Sequence, residues 1–252
     1  MSQNTTQNNL RQHHFHIGKV KVQNSMGKPI VESLIGLYIV IFALLNLVAC
    51  GGASAARSTP TRPVIPNPYP PHQGTLVLND PLKNDNLGYK WDTSTDSCKF
   101  AKDGYHVSVD VQLYSFFCVA YATNFSNFAY EAQMTILKGD SGRLFWRGDA
   151  NNAKFYYFRI DDTGYFMFII FTGHTGASVT KDGTASDFHK GLGKSNLIGV
   201  VVQGDSFTLY VNHQQVTAIT DRTYSHGEIG VVASDYHSPV SVVFADAKVW
   251  KL

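Results

Sequence analysis

Phe128-Ala129-Tyr130-Glu131-Ala132-Gln133-Met134-Thr135-Ile136 decides the fold class. In an extended chain, successive side chains point to opposite faces. That period puts Phe128, Tyr130, Ala132, Met134 and Ile136 on one side and Glu131, Gln133 and Thr135 on the other. The segment therefore reads as a strand with one buried face. Similar segments surround it. Phe155 to Ile160 and Tyr165 to Phe171 flank Asp161-Asp162-Thr163-Gly164, a four-residue hairpin loop with Gly where a positive φ is cheap. Phe207, Leu209 and Val211 alternate with Thr208 and Tyr210, and Val216 to Thr220, Ile229 to Ala233 and Val240 to Trp250 follow. After residue 75 no segment keeps a helical apolar period for ten residues. Roughly twelve short strands without intervening helices predict an all-β, two-sheet antiparallel sandwich over residues 75–252.

Composition agrees. The chain has 252 residues, 44% hydrophobic and 13% aromatic, enough to bury a core and too apolar for intrinsic disorder. Of 21 basic and 19 acidic residues, Arg11, Lys19, Lys21, Lys28 and Glu32 lie in residues 1–49, so the remainder is close to neutral. Such a balance builds no phosphate-binding stripe, and nucleic acid is not an expected partner.

Residues 1–49 read as an N-terminal extension and a signal peptide. Ser33 to Ala49 carries no charge, is short for a span of about 20 residues, and has lysines upstream and small residues downstream. Leu47-Val48-Ala49-Cys50 resembles the bacterial lipobox. The resemblance implies that Cys50 becomes the first mature residue, carries the lipid, and anchors the chain to a membrane of the bacterial cell envelope, on its extracytoplasmic side. The competing reading is a plain anchor helix with an incidental Cys. Residues 1–25, with His13, His14 and His16, precede Met26-Gly27-Lys28, a conventional start, and read as an upstream extension. Residues 50–74 read as a linker. Pro60, Pro63, Pro66, Pro68, Pro70 and Pro71 favour an extended, semi-rigid stalk.

With Cys50 lipidated, Cys98 and Cys118 are left as an even pair. In an oxidising compartment they can close a disulfide loop, and the alternative is two buried thiols. Neither sits in a CxxC or CxxH spacing, so no zinc site is expected.

The later strands form an ordered set: Asn196 to Val202, Gly204, Leu209-Tyr210-Val211-Asn212, Asp221, Tyr224, Gly227-Glu228-Ile229-Gly230-Val231 and Phe244 to Trp250. The set resembles the concanavalin A-like lectin/glucanase superfamily, with the laminin-G-like and 3-keto-disaccharide hydrolase-like domains as its nearer look-alikes. Gly142 to Arg147, Phe155 to Ile160 and Gly164 resemble its middle hairpins. The resemblance implies a jelly roll and is silent on activity. One departure is visible. The superfamily commonly has Asn-Gly after Tyr-Val, where this chain has Asn212-His213. Either the turn changes type or it holds a residue with unfavourable positive φ.

Catalytic chemistry is not apparent. The Glu-x-Asp-x-x-Glu strand of the superfamily's glucanases has no match. Glu131 and Glu228 are the two Glu beyond residue 50, with Gln133 beside the first and the Gly227–Gly230 turn around the second. Asp140, Asp161, Asp162 and Asp205 lie in turn contexts, where Asp caps local backbone. No cofactor is expected. Calcium is compatible with the superfamily, but no ligand set is legible. A binding surface is easier to assemble. Trp146, Arg147, Tyr157 and Arg159 lie on adjacent strands, and rings that stack on sugar C–H faces would sit beside guanidinium donors. Alternation puts Tyr157 and Arg159 on one face and sends Trp146 and Arg147 to opposite faces. The bland alternative makes these aromatics core. Non-catalytic glycan recognition leads, ahead of a structural or protein-contact module of the envelope and a sugar-acting hydrolase or lyase.

Overall fold

A computed structural model describes residues 64–111, 114–173, 176–234 and 239–252. The upstream extension, the signal segment, Cys50 and most of the linker lie outside the described residues.

Fourteen strands are described: β1 (Thr75–Asp80), β2 (Cys98–Ala101), β3 (Gly104–Val109), β4 (Ser115–Phe125), β5 (Phe128–Lys138), β6 (Ser141–Asp149), β7 (Lys154–Asp161), β8 (Tyr165–Thr172), β9 (Ala177–Thr184), β10 (Ser195–Gln203), β11 (Ser206–Val211), β12 (Gln214–Thr220), β13 (Gly227–Ser234) and β14 (Val240–Lys251). They form two antiparallel sheets. One runs β12-β11-β10-β5-β14-β3-β2, with β1 also on β14; the other runs β4-β13-β6-β7-β8-β9. No helix among the described residues is long and apolar enough to cross a membrane.

The core lies between the sheets, and the quoted segment is its axis. Phe128, Tyr130, Ala132, Met134 and Ile136 all point into it, meeting Leu144, Trp146, Phe158 and Phe168 of the opposite sheet. β5 is central, flanked by β10 and β14, so both edges of its backbone are hydrogen-bonded. That position explains the clean apolar alternation of one face. The Asp161–Gly164 loop forms as expected: the Asp161 side chain accepts from Thr163 N and Tyr165 N, each at 3.0 Å, and Gly164 has φ +85°.

Cys98 and Cys118 are joined, with Cα atoms 5.8 Å apart. Because Cys98 is on β2 and Cys118 on β4, the bond links the end strand of one sheet to the end strand of the other. The bond matches an oxidising compartment.

Two details differ from the sequence reading, and one alternative left open there is decided. Glu228 lies in strand β13 rather than in a turn, where a register shift between Glu228 and Gly230 sets it apart. The Asn212-His213 turn keeps positive φ at both residues, +50° and +65°. Asn212 is held there by its own side chain, which accepts from Leu197 N at 2.8 Å and donates to Asp187 O at 2.6 Å. Finally, the end of the linker packs on the domain. Tyr69 is buried against Tyr210, with ring centres 4.6 Å apart, and the Trp250 indole donates to Ile65 O at 3.0 Å. Proline density restricts the backbone, but it leaves an interspersed aromatic free to find an apolar seat.

Candidate functional site: the outer face of the six-stranded sheet

In β6, alternation sends Gly142, Leu144 and Trp146 inward and Ser141, Arg143 and Phe145 outward. β7 repeats the pattern, with Tyr156 and Phe158 inward and Phe155, Tyr157 and Arg159 outward. The β6–β7 register then fixes neighbours. Arg143 lies directly opposite Arg159, and Phe145 directly opposite Tyr157. One row of the outer face therefore reads Phe117, Val232, Arg143, Arg159, Met167 and Asp182 across β4, β13, β6, β7, β8 and β9.

The two arginines have different settings. The Arg143 guanidinium carbon lies 4.9 Å from the centre of the Tyr157 ring, a cation–π geometry. Arg159 turns away from Arg143. Its Nε donates to Ser141 Oγ at 3.1 Å, and its terminal nitrogens lie 3.6 Å from Asp140 and 3.8 Å from Asp161. Like charges in register repel, and these carboxylates neutralise one of the pair. Phe145 needs Gly230 beside it, because a Cβ there would sit 2.2 Å from the ring. Phe117, Phe155 and Phe171 extend the apolar floor, with Phe155 and Phe171 stacked at 5.0 Å.

Burial is graded across this face. Arg143 is 1% exposed and Tyr157 4%, whereas Met167 is half-buried and Asp182 exposed. Tyr165 donates to Asp182 at 2.7 Å at this open margin.

The four residues singled out in the sequence separate. Tyr157 and Arg159 share the outer face. Trp146 does not: it is fully buried between the sheets, 6.2 Å from Tyr156 and 5.9 Å from Phe168 by ring centres. Arg147 is not a surface donor either. Its φ of +47° and the register shift between Trp146 and Asp149 turn it to the end of the sandwich. There its guanidinium donates to Ser126 O, Gly204 O and Tyr224 O, at 2.7, 2.7 and 2.8 Å. Three connections between strands are tied by that one side chain. Arg143 and Phe145 went unnoticed in the sequence, although the same alternation that assigned Tyr157 and Arg159 reaches them.

Both glutamates of the domain are engaged within the fold. Glu131 is on the other sheet, bonded to Tyr69 and Lys248 at 2.8 and 3.1 Å. Glu228 accepts from Ala150 N at 3.0 Å, and burial pushes its carboxyl above the usual range. No cluster of three or more metal-ligating side chains occurs among the described residues.

This two-sheet antiparallel sandwich is similar to known structures. The fold is the concanavalin A-like jelly roll. Carbohydrate-binding module CBM66 of Bacillus subtilis is similar over 64% of this chain and 95% of its own, with 23% identity and a TM-score of 0.54. A galectin-like-fold protein of Bacillus subtilis is similar over 71% of this chain and 97% of its own, at 11% identity and TM-score 0.56. The β-glucanase of Bacillus licheniformis is similar over 69% and 97%, at 13% identity and TM-score 0.50. No protein-family profile matches the chain, and no curated protein matches its sequence. At such identities the concanavalin A-like likeness speaks to fold alone.

Proposed function

We propose that the chain is a non-catalytic carbohydrate-recognition module, carried on a lipid-anchored stalk outside the cytoplasmic membrane. The observation that carries the reading is the in-register placement of Arg143 opposite Arg159 beside Phe145 opposite Tyr157 on the face turned away from the core. Phe145, Tyr157 and Arg143 are buried and form the floor, while Tyr165 and Met167 at the margin offer partly exposed surface to sugar C–H faces and the Arg159 guanidinium donates to sugar oxygens in fixed geometry. The margin at Met167, Asp182 and Tyr165 is the open side from which a ligand reaches Arg159. Non-catalytic action is supported by the engagement of the carboxylates around that margin, where Asp182 accepts from Tyr165 at 2.7 Å. Asp140 and Asp161 face Arg159, and Asp161 also caps its own hairpin. The lipid anchor rests on Leu47-Val48-Ala49-Cys50 and the proline-rich stalk after it. The shared jelly roll with a carbohydrate-binding module agrees with the reading.

The test is titration of the full chain with a glycan array, followed by the best sugar against Tyr157→Ala, Arg159→Ala and the open-margin variant Asp182→Ala. Truncating a stacking or donor residue should weaken binding about fivefold or more, which is about 1 kcal/mol. Melting curves on the same samples separate lost binding from lost folding. Parent-like binding by all three folded variants would sink the assignment of this face. Turnover of the bound sugar would sink the non-catalytic reading.

A further inference from the structure

The opposite sheet carries a depression of about 520 Å³ on its outer face. Its floor is made of small side chains. Ser195, Thr135 and Val243 pair across β10, β5 and β14, and Ala245 pairs with Gln133 one step along. The walls differ in chemistry from the floor. Asp103, Asp246 and His189 line it, with no Lys or Arg among its described lining residues, and Asp103 Oδ1 already meets His106 Nε2 at 2.8 Å, which leaves Oδ2 to face a ligand. His189 Nδ1 lies 3.1 Å from Ser195 O. A carbonyl only accepts, so Nδ1 carries the hydrogen and Nε2 of the neutral ring is an acceptor. Asp246 has φ +51°, at the register shift between Ala245 and Lys248. A non-glycine residue in that region is unfavourable, and such positions gather at functional sites.

We infer that this depression is a second, separate binding site that takes one uncharged, hydroxyl-rich sugar ring. The methyl groups of Thr135, Val243 and Ala245 meet the ring's C–H face. Oδ2 of Asp103, the carboxylate of Asp246 and Nε2 of His189 accept its hydroxyl hydrogens. An acceptor-rich wall without a cation repels an anionic sugar, so this site differs in preference from the arginine-bearing face. The volume suits a small ligand. The site stands independently of the function proposed above. With both sites present, the module engages two sugars on opposite faces and gains by linkage.

The experiment is methyl NMR on the full chain, labelled at Ala, Thr and Val methyl groups. The probes are the methyl glycosides of glucose, galactose, mannose and N-acetylglucosamine, added one at a time. At least one should shift the Thr135, Val243 and Ala245 signals together. Asp246→Gly is the decisive variant, because glycine adopts φ +51° without strain. It should keep or raise the melting temperature while weakening that sugar about tenfold or more, as loss of a charged acceptor does. Ser195→Tyr, at an exposed position, should abolish the shifts by filling the space. If none of the four sugars moves the three methyl signals, or if Asp246→Gly binds like the parent, the inference is wrong. Shifts seen at the six-stranded face alone overturn this site and leave the other standing.

Discussion

The Tyr69 hydroxyl donates a 2.8 Å hydrogen bond to the buried carboxylate of Glu131, although the two residues are 62 positions apart. Glu131 also faces Lys248 at 3.1 Å and His213 at 3.7 Å, and Gly199 leaves the room that the Tyr69 hydroxyl occupies. Burial first, and then the charge of Glu131, hold the Tyr69 phenol protonated far beyond its ordinary range. Tyr69→Phe keeps the ring and removes the donor, leaving a buried carboxylate short of one bond. The expected loss is about 1–3 kcal/mol. Tyr69→Ala, which also empties the seat against Tyr210, is expected to lose about 3–5 kcal/mol. Urea unfolding of the full chain measures both, and parent-like midpoints would mean that this segment contributes nothing to the fold.

The disulfide gives a second prediction. It closes a separation of 20 residues and joins end strands of the two sheets. The chain-entropy account gives about 3 kcal/mol for a loop of this size. Cys98→Ala with Cys118→Ala should therefore lower the melting temperature by about 6–12 °C. A reducing agent should do the same to the parent and nothing to the double variant.

A third prediction concerns pH. The Tyr156 hydroxyl donates to Asp221 at 2.6 Å and accepts from Tyr224 N at 2.8 Å. Burial pushes the Asp221 carboxyl up, but the hydrogen bonds from Tyr156 and Thr223 together outweigh it and hold the group below its usual range. A carboxyl lowered by folding adds stability above its unfolded pKa of about 4 and loses it as the pH falls through the folded value. Tyr156→Phe removes the largest of those bonds. Its deficit relative to the parent should be full at neutral pH and shrink below about pH 4. A deficit that is the same at pH 7 and pH 3 would assign the whole effect to packing.

A fourth prediction separates the two aromatic neighbours that the sequence presents alike. Trp146→Ala opens a hole between the sheets and should lose about 3–5 kcal/mol of stability. Tyr157→Phe keeps the ring on the outer face and should leave the melting temperature within a few degrees of the parent. A Trp146→Ala protein as stable as the parent would contradict the inward placement.

Much of the fold is legible because alternation is local. Phe128 to Ile136 announces its buried face without reference to any partner strand, and Tyr157 with Arg159 follows by the same rule. What escapes is set by partners and by irregular backbone. Alternation alone turns Arg147 away from Trp146 but not toward Ser126, Gly204 and Tyr224; the positive φ and the register shift do that. The opposition of Arg143 and Arg159 depends on hairpin register, which the loop between the strands controls. Glu131 reads as a solvent-face residue of β5, and it is buried because Tyr69 arrives from a segment whose composition speaks of a stalk. Composition describes how such a chain bends and cannot reveal where one of its rings will lodge.

The seat of Tyr69 also decides how the domain bears tension. A pull on the chain at Val64 meets the Trp250 indole at Ile65 and the buried ring of Tyr69 before it reaches β1. β1 is paired with β14 alone among the described strands, so it would otherwise peel away one bond at a time. With the ring lodged ahead of it, extension must first extract a buried aromatic and expose the Glu131 carboxylate. The domain is thus gripped through the middle of its eight-stranded sheet, and the edge most easily unzipped is shielded from the load.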